Sequence, residues 1–328
     1  MSIYKLIQYI LMRTNEGLVS VIPDDIIKEY GDLYSNWSDD IAERFNRFRP
    51  NTKLKKFVSR IINKKTALIL GAGLSSTTGP FNEKWEEYSD IYETLTTAPN
   101  QVEGFISLYS NGGIKVQPKY GNDVIPNLVQ SGLVTSILSF NYNCHVEYCL
   151  AMCKIGYQSL IYDGEKQVEQ ITVGNPKCQI FKPHGSARIM RDPTQIIWPE
   201  RHPFSNLYVC DKFVEDIKRN KVEQILILGW SGNYDNHIRP YLEELFDLGV
   251  EIFHIGLPHH TETSVATVGW GVVHDFVCDF KNGAIDVLHG LAKLYGVTLP
   301  CVVDDDPLTR LSTNLREIGI EQETIPIK

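Results

Sequence analysis

The chain has 328 residues, of which 43% are hydrophobic and 22% charged, with a formal net charge of -8. That length is enough for one large α/β domain with an insertion or for two smaller ones, and the composition is that of a globular protein with a core, not of a disordered or fibrous chain. The acidic balance excludes strong nucleic-acid binding over the whole surface.

The first stretch predicts helices. Ile26, Ile27, Tyr30 and Leu33, then Ile41, Phe45 and Phe48, recur at helical spacing, so residues 1–62 read as a helical extension leading into a sheet. Met1 to Leu11 lacks the pattern of an export signal, and no run reaches membrane-spanning length, which predicts a cytoplasmic protein without membrane contact. The basic cluster Lys53, Lys55, Lys56, Arg60, Lys64 and Lys65 reads as a solvated helix face in preference to a binding patch.

Residues 66–75, T-A-L-I-L-G-A-G-L-S, form an apolar strand that runs into a glycine turn. A continuous apolar run is the signature of a strand covered on both faces of a parallel sheet. Glycine there lets backbone approach a phosphate, and a helix after the turn would aim its N–H groups at the anion. Phe81, Trp85, Tyr88, Tyr92 and Leu95 then lie on one helical stripe. Pro99, Gly112, Gly113, Pro118 and Gly121 interrupt the next stretch, so residues 81–132 read as a helical insert.

Four further apolar strands each end at polar residues: Val134 to Phe140 before Asn141, Cys178 to Lys182 before His184, Gln224 to Leu228 before Gly229, and Val250 to Ile255 before Gly256. Shorter strands are predicted from Ser159 to Asp163 and from Val168 to Val173. In a doubly wound sheet ligands sit at the carboxyl ends of the strands, so these ends are expected to line one crevice. The resulting fold class is α/β with a mainly parallel, Rossmann-like sheet. Its main domain spans residues 63–300, and a tail of 301–328 carries Leu308, Leu311, Leu315 and Ile318 on a helical stripe. Seven cysteines without paired spacing suit a reducing compartment, and Cys144, Cys149 and Cys153 read as free thiols on one helix. His145 reads as structural, and His259 and His260 have no partners at metal spacing.

Taken together and in order, G-A-G-L-S at 71–75, S-F-N-Y-N at 139–143, K-P-H-G-S at 182–186 and L-G-W-S-G-N-Y-D at 228–235 resemble the sirtuin-like domain, in the branch found in bacterial anti-phage defence proteins. The resemblance implies a sirtuin-like sheet and NAD as substrate. It puts Asn141 and His184 at the reaction centre, and Gly71, Ala72, Gly73, Leu74 and Ser75 at the pyrophosphate. Gly229, Trp230 and Ser231 fall toward the adenosine half, with Asp235 and Gly256 also bordering the dinucleotide. Two departures stand out: no paired cysteine motifs build a zinc ribbon, and Pro80-Phe81-Asn82-Glu83 stands where deacylases carry Asp-Phe-Arg.

The implied activity is therefore NAD hydrolysis to nicotinamide and ADP-ribose without a metal, by the effector of an abortive-infection system. Its implied partners are further copies of itself or a separately encoded sensor, nucleic-acid motor or nuclease. The alternatives are a sensor that binds NAD or ADP-ribose without turnover, and a protein deacylase or ADP-ribosyltransferase. Trp198, Glu200 and His202 could line the pocket, but nothing in the sequence fixes them there.

Overall fold

The computed structural model describes residues 41–75, 121–141, 145–162, 167–185, 207–233, 235–260, 265–302, 314 and 317–327. Residues 41–47 are helical, and α1 (Thr52–Ile61) comes next. The Asn51 side chain caps α1 by accepting from the Leu54 N–H at 2.8 Å, and Leu54, Phe57, Val58 and Ile61 form its buried stripe. The basic residues of α1 and the turn after it behave as a surface face: Lys53 meets Asp279 at 3.0 Å, Arg60 meets Asp275 at 2.7 Å, and Lys64 pairs with Glu251.

The remaining elements are β1 (Thr66–Leu70), the single turn α2 (Ala72–Ser75), α3 (Ile125–Gln130), β2 (Val134–Ser139), α4 (His145–Met152), β3 (Tyr157–Tyr162), β4 (Gln167–Val173) and β5 (Cys178–Lys182). They continue with α5 (Leu207–Asn220), β6 (Gln224–Leu228), α6 (Arg239–Asp247), β7 (Glu251–Ile255), α7 (Ala266–Gly269), β8 (Asp275–Val277), α8 (Ala284–Leu294) and β9 (Ile320–Pro326). The nine strands form one sheet in the order β8-β7-β6-β1-β2-β5-β3-β4-β9. Pairing is parallel from β8 through β3 and antiparallel for β3–β4 and β4–β9.

Alternation along the central strands sends side chains to two cores. Leu68, Leu70, Leu226 and Leu228 face one side with α1, α3, α4 and α8, whereas Ala67, Ile69, Ile225 and Ile227 face the other with α5 and α6. A sheet covered on both faces explains why β1 and β6 read as unbroken apolar runs. The α/β, doubly wound, mainly parallel architecture is thus the one expected. All five strands ahead of the polar residues lie side by side as β7-β6-β1-β2-β5. The chain leaves β1 toward β2 and returns on the opposite side with β6, so the strand order reverses at β1.

Two expectations are corrected. Residues 320–326 are not helical; they form β9, pairing with β4 from Val173↔Ile320 to Gln167↔Pro326. The stripe residues Leu308, Leu311 and Leu315 lie outside the described residues. Cys153 is not a free thiol but is disulfide-bonded to Cys301, 148 positions away, a pairing no local spacing could reveal. Cys149 is buried and free as expected, and Cys144 is not described. The three-residue β8 escaped notice because so short a run carries no periodicity. The stripe from Phe81 to Leu95 and the candidates Trp198, Glu200 and His202 fall outside the described residues. No helix among the described residues is long and apolar enough to cross a membrane.

Candidate functional site

Four neighbouring strands deliver the side chains. After β1 the chain turns at Gly71 and Gly73, and after β6 it turns at Gly229, where φ is +67°. The two turns are clamped backbone to backbone. The Gly71 N–H donates to the Leu228 carbonyl at 3.0 Å and the Gly73 N–H donates to the Gly229 carbonyl at 2.8 Å. A Cβ on Gly71 would come within 2.5 Å of the Gly229 carbonyl oxygen and the Trp230 Cα, and one on Gly229 within 2.3 Å of the Leu74 nitrogen. Glycine is therefore demanded here by the close approach of two loops, a reason the sequence alone did not supply. Leu74 packs its side chain into the core.

After β2, Phe140 continues the sheet by donating its N–H to the Leu70 carbonyl at 2.9 Å. Asn141 is buried, and its side-chain amide donates to the Gly71 carbonyl at 3.0 Å. It thereby ties the end of β2 to the β1 turn. After β5, the chain reverses over Lys182 to Gly185, where the Gly185 N–H donates to the Lys182 carbonyl at 3.1 Å and φ is +81°. That turn carries His184, which is only 3% exposed.

His184 is engaged by the loop after β6. Its Nε2 lies 2.9 Å from Asp235 Oδ1, and Asp235 Oδ2 accepts the Trp230 indole N–H at 2.7 Å. The Trp230 ring stacks on Phe140 at 4.9 Å and 9°, and Phe140 meets the His184 ring edge-on at 5.0 Å and 65°. Trp230 also touches Trp270, with centroids 6.2 Å apart. Burial pushes the Asp235 carboxyl up, but the hydrogen bonds and charge of His184, with Trp230 helping, outweigh it and leave the group below its ordinary range. His237, centred 6.3 Å from His184, is pushed down to about 4, chiefly by burial.

Beneath these loops sits a buried ion pair. Lys182 Nζ lies 3.2 Å from Glu147 Oε1, with side chains 0% and 5% exposed. Glu147 belongs to α4, which comes after Asn141, and Lys182 ends β5, just before His184. The pair therefore braces the two elements that carry the polar residues.

The structure thus brings together Gly71, Gly73, Asn141, His184, Gly229, Trp230 and Asp235. Ser231 is exposed, with its carbonyl accepting the Ala266 N–H at 3.2 Å. Gly256, at the end of β7, is packed against the Phe276 ring and donates its N–H to the Val277 carbonyl at 2.9 Å. The side chains of Ala72 and Ser75 are not described. Sequence reasoning missed Phe140, Glu147, Lys182 and His237. All four stand within six residues of a motif residue, and Glu147 is also a charge inside an apolar run. Buried Cys149, Cys178 and Cys210 have thiols pushed up by burial first and by nearby carboxylates second, which makes them poor nucleophiles.

One donor set among the described residues could hold a cation, although no metal was expected: His184, Asp235 and His237 offer ligand atoms within 4.8 Å of one another. Both Asp235 oxygens already lie against nitrogens, those of His184 and Trp230.

No protein-family model matches the sequence, and no curated protein matches it. Solved structures resemble it at a distance. A Sir2 homologue mutant in complex with ADP-ribose is 13% identical, with a TM-score of 0.47 over 74% of this chain and 98% of that one. A structure bearing on the mechanism and regulation of Sir2 enzymes is 11% identical, with a TM-score of 0.42 over 75% and 100%. A Sir2 bound to an inhibitor, 2′-O-acetyl-ADP-ribose and a deacetylated p53 peptide is 10% identical, with a TM-score of 0.42 over 74% and 99%. The chain is similar to these in the arrangement of its strands and helices.

Proposed function

We propose that the protein hydrolyses NAD, consuming water and releasing nicotinamide, ADP-ribose and a proton. The observation that carries the reading is the meeting of Asn141 and the His184–Asp235 pair at the ends of β2, β5 and β6, around the β1 glycine turn. The order of the four sequence motifs supports the same reading.

The chemistry suits these groups. Nicotinamide is cationic while attached, so no acid is needed to protonate the leaving group. Positive charge grows on the ribose as the C–N bond stretches, and the site must favour that charge and deliver water to it. A neutral His184 would accept a proton from a ribose hydroxyl, which enriches the sugar in electron density beside the cation. Asn141 would orient water or the carboxamide without adding charge. The glycine turns of β1 and β6 would border the phosphates and the adenosine half. Deacylation is disfavoured because the sequence has no paired cysteine motifs for a zinc ribbon.

The motif resemblance also supports a role as effector in anti-phage defence, working with further copies of itself or with a separately encoded sensor, motor or nuclease. An enzyme that drains NAD has to be held in check until needed. The test is to incubate the purified full chain with NAD and follow nicotinamide by chromatography, with and without an acylated peptide. Peptide-independent release of nicotinamide, reduced roughly 10²-fold or more in His184→Ala, is the expected result. Intact NAD at high enzyme in every oligomeric state would overturn the proposal.

A further inference from the structure

The tail after α8 is fastened to the body at one end of α4. Cys301 is disulfide-bonded to Cys153, the residue that follows α4, and its N–H donates to the Asn127 side chain on α3 at 3.3 Å. Buried Asn314 donates its amide to the Ala151 and Met152 carbonyls at 3.1 and 2.8 Å, which satisfies backbone acceptors left over at the α4 C-terminus. Lys154 pairs with Glu317, the Gly174 N–H donates to the Gly319 carbonyl at 3.0 Å, and β9 lies along β4. At its other end α4 reaches the crevice. It begins four residues after Asn141 and carries Glu147, whose partner Lys182 stands two residues before His184.

We propose that the Cys153–Cys301 bond is a reversible redox latch. Closed, it seats α4 and with it the Glu147–Lys182 brace; opened by a dithiol reductant, it loosens α4 and lowers turnover at the crevice. Both halves of the bond are partly exposed, whereas the free thiols of Cys149, Cys178 and Cys210 are buried. An exposed disulfide is the labile kind. A thiolate of the reductant attacks one sulfur to form a mixed disulfide, which the reductant's second thiolate then resolves. Two electrons and two protons thereby pass to Cys153 and Cys301, and the reductant leaves as its own disulfide. Asn314 and β9 still hold the tail when the bond opens, so the change is a loosening and not an unfolding. The effect on NAD rests on the hydrolase reading, whereas the opening of the latch does not. On that reading a chain kept reduced is held in check, and oxidation arms it.

The test uses the full chain purified without reductant and poised in mixtures of reduced and oxidised dithiothreitol. Alkylation with peptide mass spectrometry reads the thiols, hydrogen exchange reads α4, and nicotinamide release reads turnover. Cys153 and Cys301 should become alkylated together, at one poise, in a chain that stays folded. Exchange should quicken in residues 145–152. Nicotinamide release should fall by about 5-fold or more, the lower end of coupling between distant sites, and recover on reoxidation. Cys153→Ser combined with Cys301→Ser should match the reduced wild type and ignore the reductant. Should that variant fail to fold, the reduced wild type supplies the same readings. A bond absent from the oxidised chain, one that opens only as the chain unfolds, or one that opens without changing exchange in α4 would overturn the proposal. So would measurable turnover that is the same at every poise. Faster exchange on reduction in a protein that leaves NAD untouched in both states would uphold the latch and remove the hydrolase reading.

Discussion

Replacing Lys182 by Met should cost the protein a large part of its stability. The Lys182 ammonium is fully buried and lies 3.2 Å from a Glu147 carboxylate that is 5% exposed. At an effective dielectric of 20, unit charges at that distance attract by about 5 kcal/mol. Their joint removal from water offsets most of this, so the pair as a whole adds little. Loss of one partner is different, because it strands a carboxylate in the core and should cost about 3–5 kcal/mol. With a urea m-value of about 3 kcal/mol per molar, the unfolding midpoint should fall by about 1 M or more. The second perturbation is the informative one. Lys182→Met combined with Glu147→Leu replaces both charges by apolar groups of similar size and should recover most of the loss. Equilibrium urea unfolding followed by tryptophan fluorescence reads both variants. A single variant that loses less than about 1 kcal/mol, or a double variant no better than the single one, would refute the reasoning.

Other consequences can be checked in the same preparation. Gly229→Ala places a methyl 2.3 Å from the Leu74 nitrogen at φ +67°, whereas Gly249→Ala meets no atom within 4 Å at φ +81°. Both carry the left-handed penalty of about 1 kcal/mol, so melting temperatures should show a distinctly larger drop for Gly229→Ala, together with loss of NAD turnover. Asn51→Ala removes the cap of α1 and should cost about 1 kcal/mol without touching activity. Burial pushes the His254 imidazole down to about 3. The unfolded chain therefore binds a proton below about pH 6.5 that the folded chain refuses. Stability from this group is complete above that pH and drains away as the solution is acidified toward 3. Unfolding free energies from urea titrations at pH 7 and 4.5 should differ by about 2–3 kcal/mol on its account, and His254→Gln should flatten the dependence.

The central sheet was readable in the sequence because its strands are covered on both faces: β1 and β6 are nearly unbroken apolar runs, and β2, β5 and β7 are mainly apolar with a few polar residues among them. Asn141 and His184 were readable because they sit at the ends of such runs. Their surroundings were not. The reach of Asp235 to His184 depends on a loop that folds back across 51 positions of chain, and nothing local announces it. Lys182 hid in plain view, since a lysine closing a strand usually marks the surface. β9 was obscured by leucines at helical spacing just before it, and the Cys153–Cys301 bond by the length of chain between its halves. The glycine turn was recognised, but the close approach of the loop after β6, which also demands glycine there, was not.

The return of β6 to the side of β1 also sets a schedule. Thr66 pairs with Gln224, so one wall of the crevice is made early in synthesis and the other only after 158 further residues have emerged. Pairing over such a separation is slow and late in folding. A nascent chain still lacking residues 224–235 has no Trp230, no Asp235 and no clamp for its glycine turn. On the NAD-hydrolase proposal, the unfinished polypeptide would therefore have an incomplete site and would leave NAD untouched until residues 224–235 have emerged.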